Sequence, residues 1–429
     1  MNLTPKKHLL SASAVCLTLG TALSLQANEP ATDARLRALE HELSLLRQEL
    51  SAEKASNTQR PTDFVAGEYV PAPEPMIDPV DSDDVFVTPK QSAVTELKVR
   101  GRMHYQFGYA SADEYSDFST QEWRRLRLGV SGKILDDWSF ELVGNIQTTD
   151  SSTLLEDAYL RYNGLDWTTI TFEHLRPRFG AELNTSSSKI KTVERSNLSN
   201  SFDPGKITGI SFAGDYGIFD YQLGAYNGES GDQRSSERTD LGNEGVPEYL
   251  LNASVGLDFS ELVGLDQASV RVDYIDNADD DGIDQKFGPE SAFAASVSLA
   301  SGPFSFVAEY IHAELFSGGE IDGFYLMPSV MLTDKLEAVL RYENMEADDG
   351  GSIRHQSRYA RRVVASDPGV SSAGVRGEDY WALYGGVNYY VNKSLKFMFG
   401  VEYAELDDIS GRGDSLDTIT GFGAVRLEF

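Results

Sequence analysis

Arginines recur at every second position in two stretches of this chain, Arg100 and Arg102 in VRGRMHY and Arg125 and Arg127 in RRLRLGV, and Arg161 follows in DAYLRY. Arg176 and Arg178 then lead into a polar stretch that carries Lys189, Lys191 and Arg195 among Ser186, Ser187, Ser188 and Thr192. The chemistry on offer is oxyanion binding. A guanidinium fork matches two oxygens of a phosphate or carboxylate, an ammonium adds a point charge, and hydroxyls supply neutral donors. No Ser/His/Asp or paired-carboxylate arrangement stands out, so no enzyme is expected. The six histidines (His8, His41, His104, His174, His312, His355) lack ligand spacing. Neither a structural metal nor a cofactor is expected.

The elements that must hold these side chains are strands. In ELKVRGRMHYQFGY, Leu97, Val99, Met103, Tyr105, Phe107 and Tyr109 face one way, while Lys98, Arg100, Arg102, His104 and Gln106 face the other. Leu126, Leu128 and Val130 likewise oppose Arg125, Arg127 and Ser131. The alternation recurs to the terminal ITGFGAVRLEF, where Ile419, Gly421, Gly423, Val425, Leu427 and Phe429 share one face. About sixteen such segments fit between residues 94 and 429, at roughly 21 residues per strand plus connection, which is the spacing of a transmembrane β-barrel. Asp136-Asp137, Leu165-Asp166, Gly217-Ile218 and Asn392-Lys393 read as tight turns. Residues 228–246, 276–291, 344–379 and 404–417 read as long acidic or glycine-rich loops. Short turns at one end and long loops at the other are a barrel asymmetry. The fold class is therefore all-β, an antiparallel barrel in outer-membrane lipid.

The same parity places Glu141, Asp157, Asp273, Glu309, Glu337, Glu343, Glu402 and Glu428 on the lumenal face with the arginines. Two readings stay open. One is a ladder of anion sites; the other is a general aqueous pore in which inward acids and bases pair across the wall. The formal charge of −30, from 67 acidic against 37 basic residues, argues against nucleic acid as a partner. The acidic run Asp276 to Asp284 lacks the ligand spacing of a calcium loop, and Arg412-Gly413-Asp414 reads as a polar turn.

The first ninety-odd residues are different. Residues 1–27 read as a signal peptide, with Lys6 and Lys7 before a mostly apolar run that holds the only cysteine, Cys16. Residues 28–55 contain Leu36, Leu39, Leu43, Leu46 and Leu50 at steps of three and four, a heptad seam of about three turns of the repeat. So short a helix is marginal unless it associates. It therefore predicts an oligomer, or a periplasmic contact with the cell wall or a partner through residues 31–55. Residues 56–93 are a Pro/Asp-rich linker.

The stretches WRRLRLGVSGKILDDWSFEL and EDAYLRYNGLDWTTITFEHLRPRFGAELNTSSSKIKTVERSNLSNSFDPGKITGISFAG resemble the phosphate-selective porin O and P family. The similarity is most specific between Trp123 and Gly214. It implies a sixteen-stranded homotrimeric outer-membrane channel with a loop folded into the lumen, basic residues along an anion path and small anions, phosphate or other oxyanions, as solutes. On that implication Lys189, Lys191 and Arg195 lie in the inward loop, between Phe179 and Gly209. Where the family often has Gly-Gln before its Lys-Pro segment, this chain has Glu173-His174 and Arg176.

Overall fold

The computed structural model describes residues 85–86, 93–112, 115–146, 155–227, 249–277, 289–316, 318–355, 357–365, 375–407 and 415–429. The signal peptide, the coiled-coil segment and nearly all of the linker lie outside the described residues, as do Arg412-Gly413-Asp414 and most of the acidic run after Asp276.

Sixteen long strands follow one another: β1 (Val94–Ala112), β2 (Phe118–Ile134), β3 (Trp138–Asn145), β4 (Leu155–Tyr162), β5 (Thr169–Leu175) and β6 (Ile207–Tyr216). β7 (Phe219–Asn227), β8 (Tyr249–Asp258), β9 (Gln267–Asn277), β10 (Pro289–Ser301) and β11 (Phe304–Leu315) continue the wall. β12 (Glu320–Thr333), β13 (Leu336–Asp348), β14 (Asp379–Tyr390), β15 (Leu395–Asp407) and β16 (Leu416–Glu428) complete it. Each pairs antiparallel with its sequence neighbours, and β16 pairs with β1 from Thr418↔Ala112 to Glu428↔Arg102. The barrel is thus closed, leaving no backbone edge to lipid. The terminal residue finishes the seam. Phe429 and Gly101 exchange backbone hydrogen bonds of 2.7 and 3.0 Å, and the Phe429 ring lies where any Cβ on residue 101 would stand.

The expected alternation holds around the wall. Phe107, Tyr109, Leu142, Phe172, Leu223, Leu340, Phe399, Val401 and Ile419 point outward and are exposed, whereas Arg100, Arg102, His104, Gln106, Glu141, Asp157, Asp273, Glu309, Glu337, Glu343 and Glu402 are buried inside. A continuous outward coat of large apolar side chains is stable only against lipid. Turns at residues 135–137, 217–218, 302–303, 334–335 and 391–394 join strands at the end that holds the C-terminus, as do the connections 163–168, where a tighter turn was expected at Leu165-Asp166, and 259–266; the longest connections lie at the other end. Three of the expected loops are shorter than the sequence suggests, the first because β9 runs to Asn277 and β10 starts at Pro289. β13 runs on to Asp348 and β14 starts at Asp379, while β15 and β16 extend to Asp407 and from Leu416. Period-2 alternation continues through these acids because their side chains face outward above the lipid.

Inside, the wall is layered. Toward the long-loop end its inward positions are small or apolar: Ala110, Leu250, Ile275, Ala294, Ile311, Ala313, Met345, Ala382, Ala404 and Leu406, all buried. They are covered by two connections that turn inward. The first, residues 176–206, contains helices α1 (Ala181–Asn184) and α2 (Asn197–Ser201) and contributes Phe179, Leu183, Val193, Leu198 and Phe202 to the same apolar cluster. The second, residues 349–378, carries α4 (Ala360–Ala365), numbered after the short turn helix α3 (Ser260–Val263), and packs on β1, β2 and β16. An external position was expected for it. Tyr359 explains the difference, since its ring sits 5.8 Å from that of Phe422 and directly over Gly108, where no side chain intervenes.

Candidate functional site

The loop of residues 176–206 crosses the lumen because the barrel supplies a partner for nearly every polar group it brings. Arg176 holds Asp203 through two bonds of 2.6 and 2.7 Å, fixing the loop's two stems together. Burial pushes the Asp203 carboxyl up, but Arg176 outweighs it and holds the group below its usual range. Arg178 donates to Asp220 on β7 at 2.8 Å. At Gly180, which has φ of 71°, the chain bends so that its N–H reaches Asp273 and the next N–H, of Ala181, reaches Glu309, both at 2.8 Å. Only glycine accepts that bend cheaply, and a Cβ here would collide with the Glu309 carboxylate.

Farther along, Ser196 caps α2 by accepting from Ser199 N, and it donates to Glu182 at 2.7 Å. Arg341 on β13, fully buried, joins Glu182 at 3.2 Å, Glu402 at 3.0 Å and Glu343 at 3.6 Å. Lys191 pairs with Glu337 at 2.9 Å and donates to Ser305 and Ser329. Arg426 donates to the carbonyls of Ser187 and Val193 at 2.7 and 2.6 Å, and Lys396 to that of Ile190 at 3.0 Å. Glu194 accepts from Gln106 and Arg124. Burial raises its carboxyl, yet Arg124, Arg125 and Arg358 together hold it well below the ordinary carboxylate range. The guanidinium of Arg195 donates to the carbonyls of Glu182 and Thr185 and, through burial and then the Arg176 charge, sits lower than usual, at about 10.

The ten basic residues singled out by type and spacing therefore divide. Arg100 pairs with Glu141 at 3.4 Å, Arg102 with Glu428 at 2.9 Å and with Ser187 at 2.8 Å, and Arg127 with Glu156. With Arg178 and Lys191 they tie wall to wall or loop to wall, while Arg176 and Arg195 tie the loop to itself. Arg125 and Arg161 differ. Arg125 makes no hydrogen bond or ion pair among the described residues, and its neighbour across β1, His104, is buried with both ring nitrogens unpartnered. Arg161 touches Thr171 through Nε and lies 4.7 Å over the Tyr159 ring, leaving its outer nitrogens toward the lumen. Lys189 keeps solvent contact at the loop tip, beside Asn184, Ser186 and Ser188.

Several lumenal cations escape a reading by alternation. The pairing of β1 with β2 shifts between His104 and Tyr105, a bulge that leaves Arg124 unpaired and turns it to Glu194. Arg271, Arg341 and Arg426 obey the parity rule, but each stands alone in its strand. At the mouth the second loop adds Arg354, Arg358, Arg361 and Arg362 in one short run. Of these, Arg358 grips Glu122 with two 2.6 Å bonds, and Arg362 lies 5.8 Å over Phe118.

A closed barrel with a charged, loop-narrowed lumen is a diffusion channel. The family model for phosphate-selective porin O and P matches residues 97–410. This chain belongs to that family. As a porin of the outer membrane it also shares its fold with solved channels. The outer membrane channel DcaP of Acinetobacter baumannii is 17% identical, covering 80% of this chain and 100% of its own, with a TM-score of 0.51. A loop L8 deletion mutant of OmpT, an outer membrane protein of Vibrio cholerae, is 13% identical over 79% of this chain and 100% of its own, with a TM-score of 0.51. An anion-selective porin from Comamonas acidovorans is 12% identical over 78% and 99%, with a TM-score of 0.50. No curated protein matches the porin. At these identities the likeness is one of fold.

Proposed function

We propose that this porin admits small anions, phosphate or other oxyanions, by passive diffusion. What carries the reading is the character of the solvent-contacting lumenal groups. They include Arg127, Tyr159 and Arg161 on the wall and Asn184, Ser186, Ser188 and Lys189 on the loop, cations and neutral donors, whereas the acids of similar exposure are each paired with a cation: Glu156 with Arg127 and Lys206, Glu194 with Arg124, Asp203 with Arg176 and Glu428 with Arg102. An anion shedding water in a narrow, low-dielectric passage meets donors there. The arginines of the second loop extend the positive field to the mouth.

A second reading, a weakly selective pore, draws on the same structure. Arg100 with Glu141, and Arg271 with Asp220 at 2.7 Å, pair off within the wall and set a transverse field without net sign. Reversal potentials across planar bilayers in a chloride gradient decide between the two. Replacing Lys189 and Arg161 together by Glu should lower the chloride-over-potassium permeability ratio several-fold; an unchanged ratio would exclude the anion path at these residues and leave the weakly selective pore.

The porin works, on this reading, as a homotrimer in outer-membrane lipid, with residues 28–55 as a periplasmic coiled coil. The heptad leucines support it, since so short a seam gains stability only by associating. Deleting residues 31–90 separates the roles. Dissociated trimers would make the segment an assembly device, and intact trimers with a weakened envelope would make it a tether to the cell wall.

A further inference from the structure

The outer wall carries a cluster that transport does not use. His312 on β11 and Asp322 on β12 are directly paired across strands, and Glu320 lies two residues before Asp322 on the same outward face. The His312 Nδ1 is 3.1 Å from an Asp322 oxygen, and the ligand atoms of all three residues lie within 4.8 Å of one another. Tyr310, immediately below, donates its hydroxyl to Asp322 and, with Phe293 and Phe324, stands in the outward aromatic layer. Such layers mark the boundary between acyl chains and headgroups. The triad therefore sits at headgroup level, on the long-loop side.

Its surroundings lack counter-charge. Glu320 is directly opposite Glu314 on one side and Asp348 on the other, and Asp322 is opposite Glu346. Like charges at directly paired positions repel. β10, β11 and β12 contain no lysine or arginine, and Arg341 of β13 points into the lumen. Among the described residues of these strands the imidazole alone is available to balance these carboxylates. A bound dication would balance them better, and one ring nitrogen with two carboxylates is a ligand set that borderline-soft divalent metals accept. With bonds of about 2.0–2.2 Å, ligand edges near 3 Å are needed. The His312–Asp322 edge already has that length, so modest rotation of Glu320 completes the set.

We propose that His312, Glu320 and Asp322 form a divalent metal site on the outer face of the barrel at headgroup level, with zinc as its best-suited occupant. The remaining coordination positions face the membrane surface, where an anionic headgroup phosphate could fill them. Zinc titrated calorimetrically into the detergent-solubilised, full-length porin should bind at one site per chain that His312→Gln weakens at least tenfold, while Glu261→Gln, on a remote turn, leaves it unchanged. Equal binding by His312→Gln, or none to the native chain at millimolar zinc, overturns the proposal. Cobalt supplies an independent readout that needs no variant to fold. Visible d–d bands indicating a nitrogen ligand, displaced by zinc in the native porin, support the site, and an aquo-ion spectrum refutes it. Adding vesicles with or without anionic lipid then distinguishes a protein-only site, whose affinity stays constant, from one completed by a headgroup.

Discussion

The two inward loops solve one problem, staying put inside a water-exposed barrel, by different means. Residues 176–206 are held by charge: Arg341, Arg426 and Arg102 reach in from three strands to carboxylates, hydroxyls and carbonyls of the loop, and Lys191 of the loop reaches out to Glu337 of the wall. In the second loop, residues 349–355 and 357–365 are held mainly by rings and small apolar groups, to which the Arg358–Glu122 pair is added. Tyr359 packs on Phe422 and Gly108, and His355 stands edge-on to Tyr380 at 5.3 Å. A charge-tied loop can keep solvent contact at Asn184, Ser188 and Lys189, because many of its anchors lie at the wall. A ring-held loop must lie flat on an apolar surface, and so it covers one. The first loop should fail abruptly when one central charge is removed. The second should respond to pH and to side-chain volume.

The most damaging single change is expected at Arg341. Its guanidinium joins Glu182, Glu343 and Glu402 and also donates to the Glu194 carbonyl at 3.0 Å. Arg341→Met keeps the volume but strands three buried carboxylates, and breaking a buried pair in this way costs about 3–5 kcal/mol. We expect the loop to leave the wall while the barrel stays closed. Trypsin should then cut near Lys189 and Lys191, which resist it in the parent, and single-channel conductance should rise.

That contrast also marks what could be read in advance. The wall was legible because an alternating face, repeated from Leu97 to Phe429, has one physical use in a closed barrel, and it assigned Arg100, Glu141, Glu309 and Glu402 to the inside. The resemblance to known porins further implied an inward loop near Lys189. Individual partners were not legible, since whether Arg125 meets an acid depends on the folded loop, and Arg127 meets Glu156 at a shift in the pairing of β3 with β4. Arg124 was hidden by a bulge, which no periodicity encodes. The second loop was hidden by its composition. RHQSRYARR reads as solvated surface, and the hint lay elsewhere, in alanines such as Ala110, Ala382 and Ala404 at inward positions that a purely aqueous lumen would make polar.

An intermediate effect is expected from pH on the second loop. His355 is buried; its Nε2 lies 3.0 Å from the Thr418 hydroxyl, and its Nδ1 accepts from Ser357 N at 3.3 Å, which fits the neutral ring. Burial first, and then the Arg361 charge, push its pKa down to about 4, against roughly 6.5 for a free imidazole. The docked loop therefore binds fewer protons than the released one. Its stability is whole above about pH 6.5, declines as the pH falls from there toward 4, and declines no further below that, for a loss of at most ~3 kcal/mol. Hydrogen exchange in residues 353–363 should accelerate between pH 7 and pH 4.5, and His355→Gln should flatten that dependence.

The smallest effect separates volume from chemistry. Adding one methyl at Gly108 places a carbon inside the van der Waals envelope of the Tyr359 ring, whereas the same methyl at Gly421, on the outward face of β16, meets no atom within 4 Å. Both glycines sit in strands with ordinary backbone angles, so the change in intrinsic strand preference is common to the two and cancels in the comparison. Gly108→Ala should cost about 1–3 kcal/mol through overpacking, read as a lower thermal midpoint and as faster exchange in the second loop. Gly421→Ala should match the parent in both. If the two variants behaved alike, Tyr359 would not be the contact that holds residues 349–378 against the wall, and the ring-held half of the comparison would fail while the charge-tied half stood.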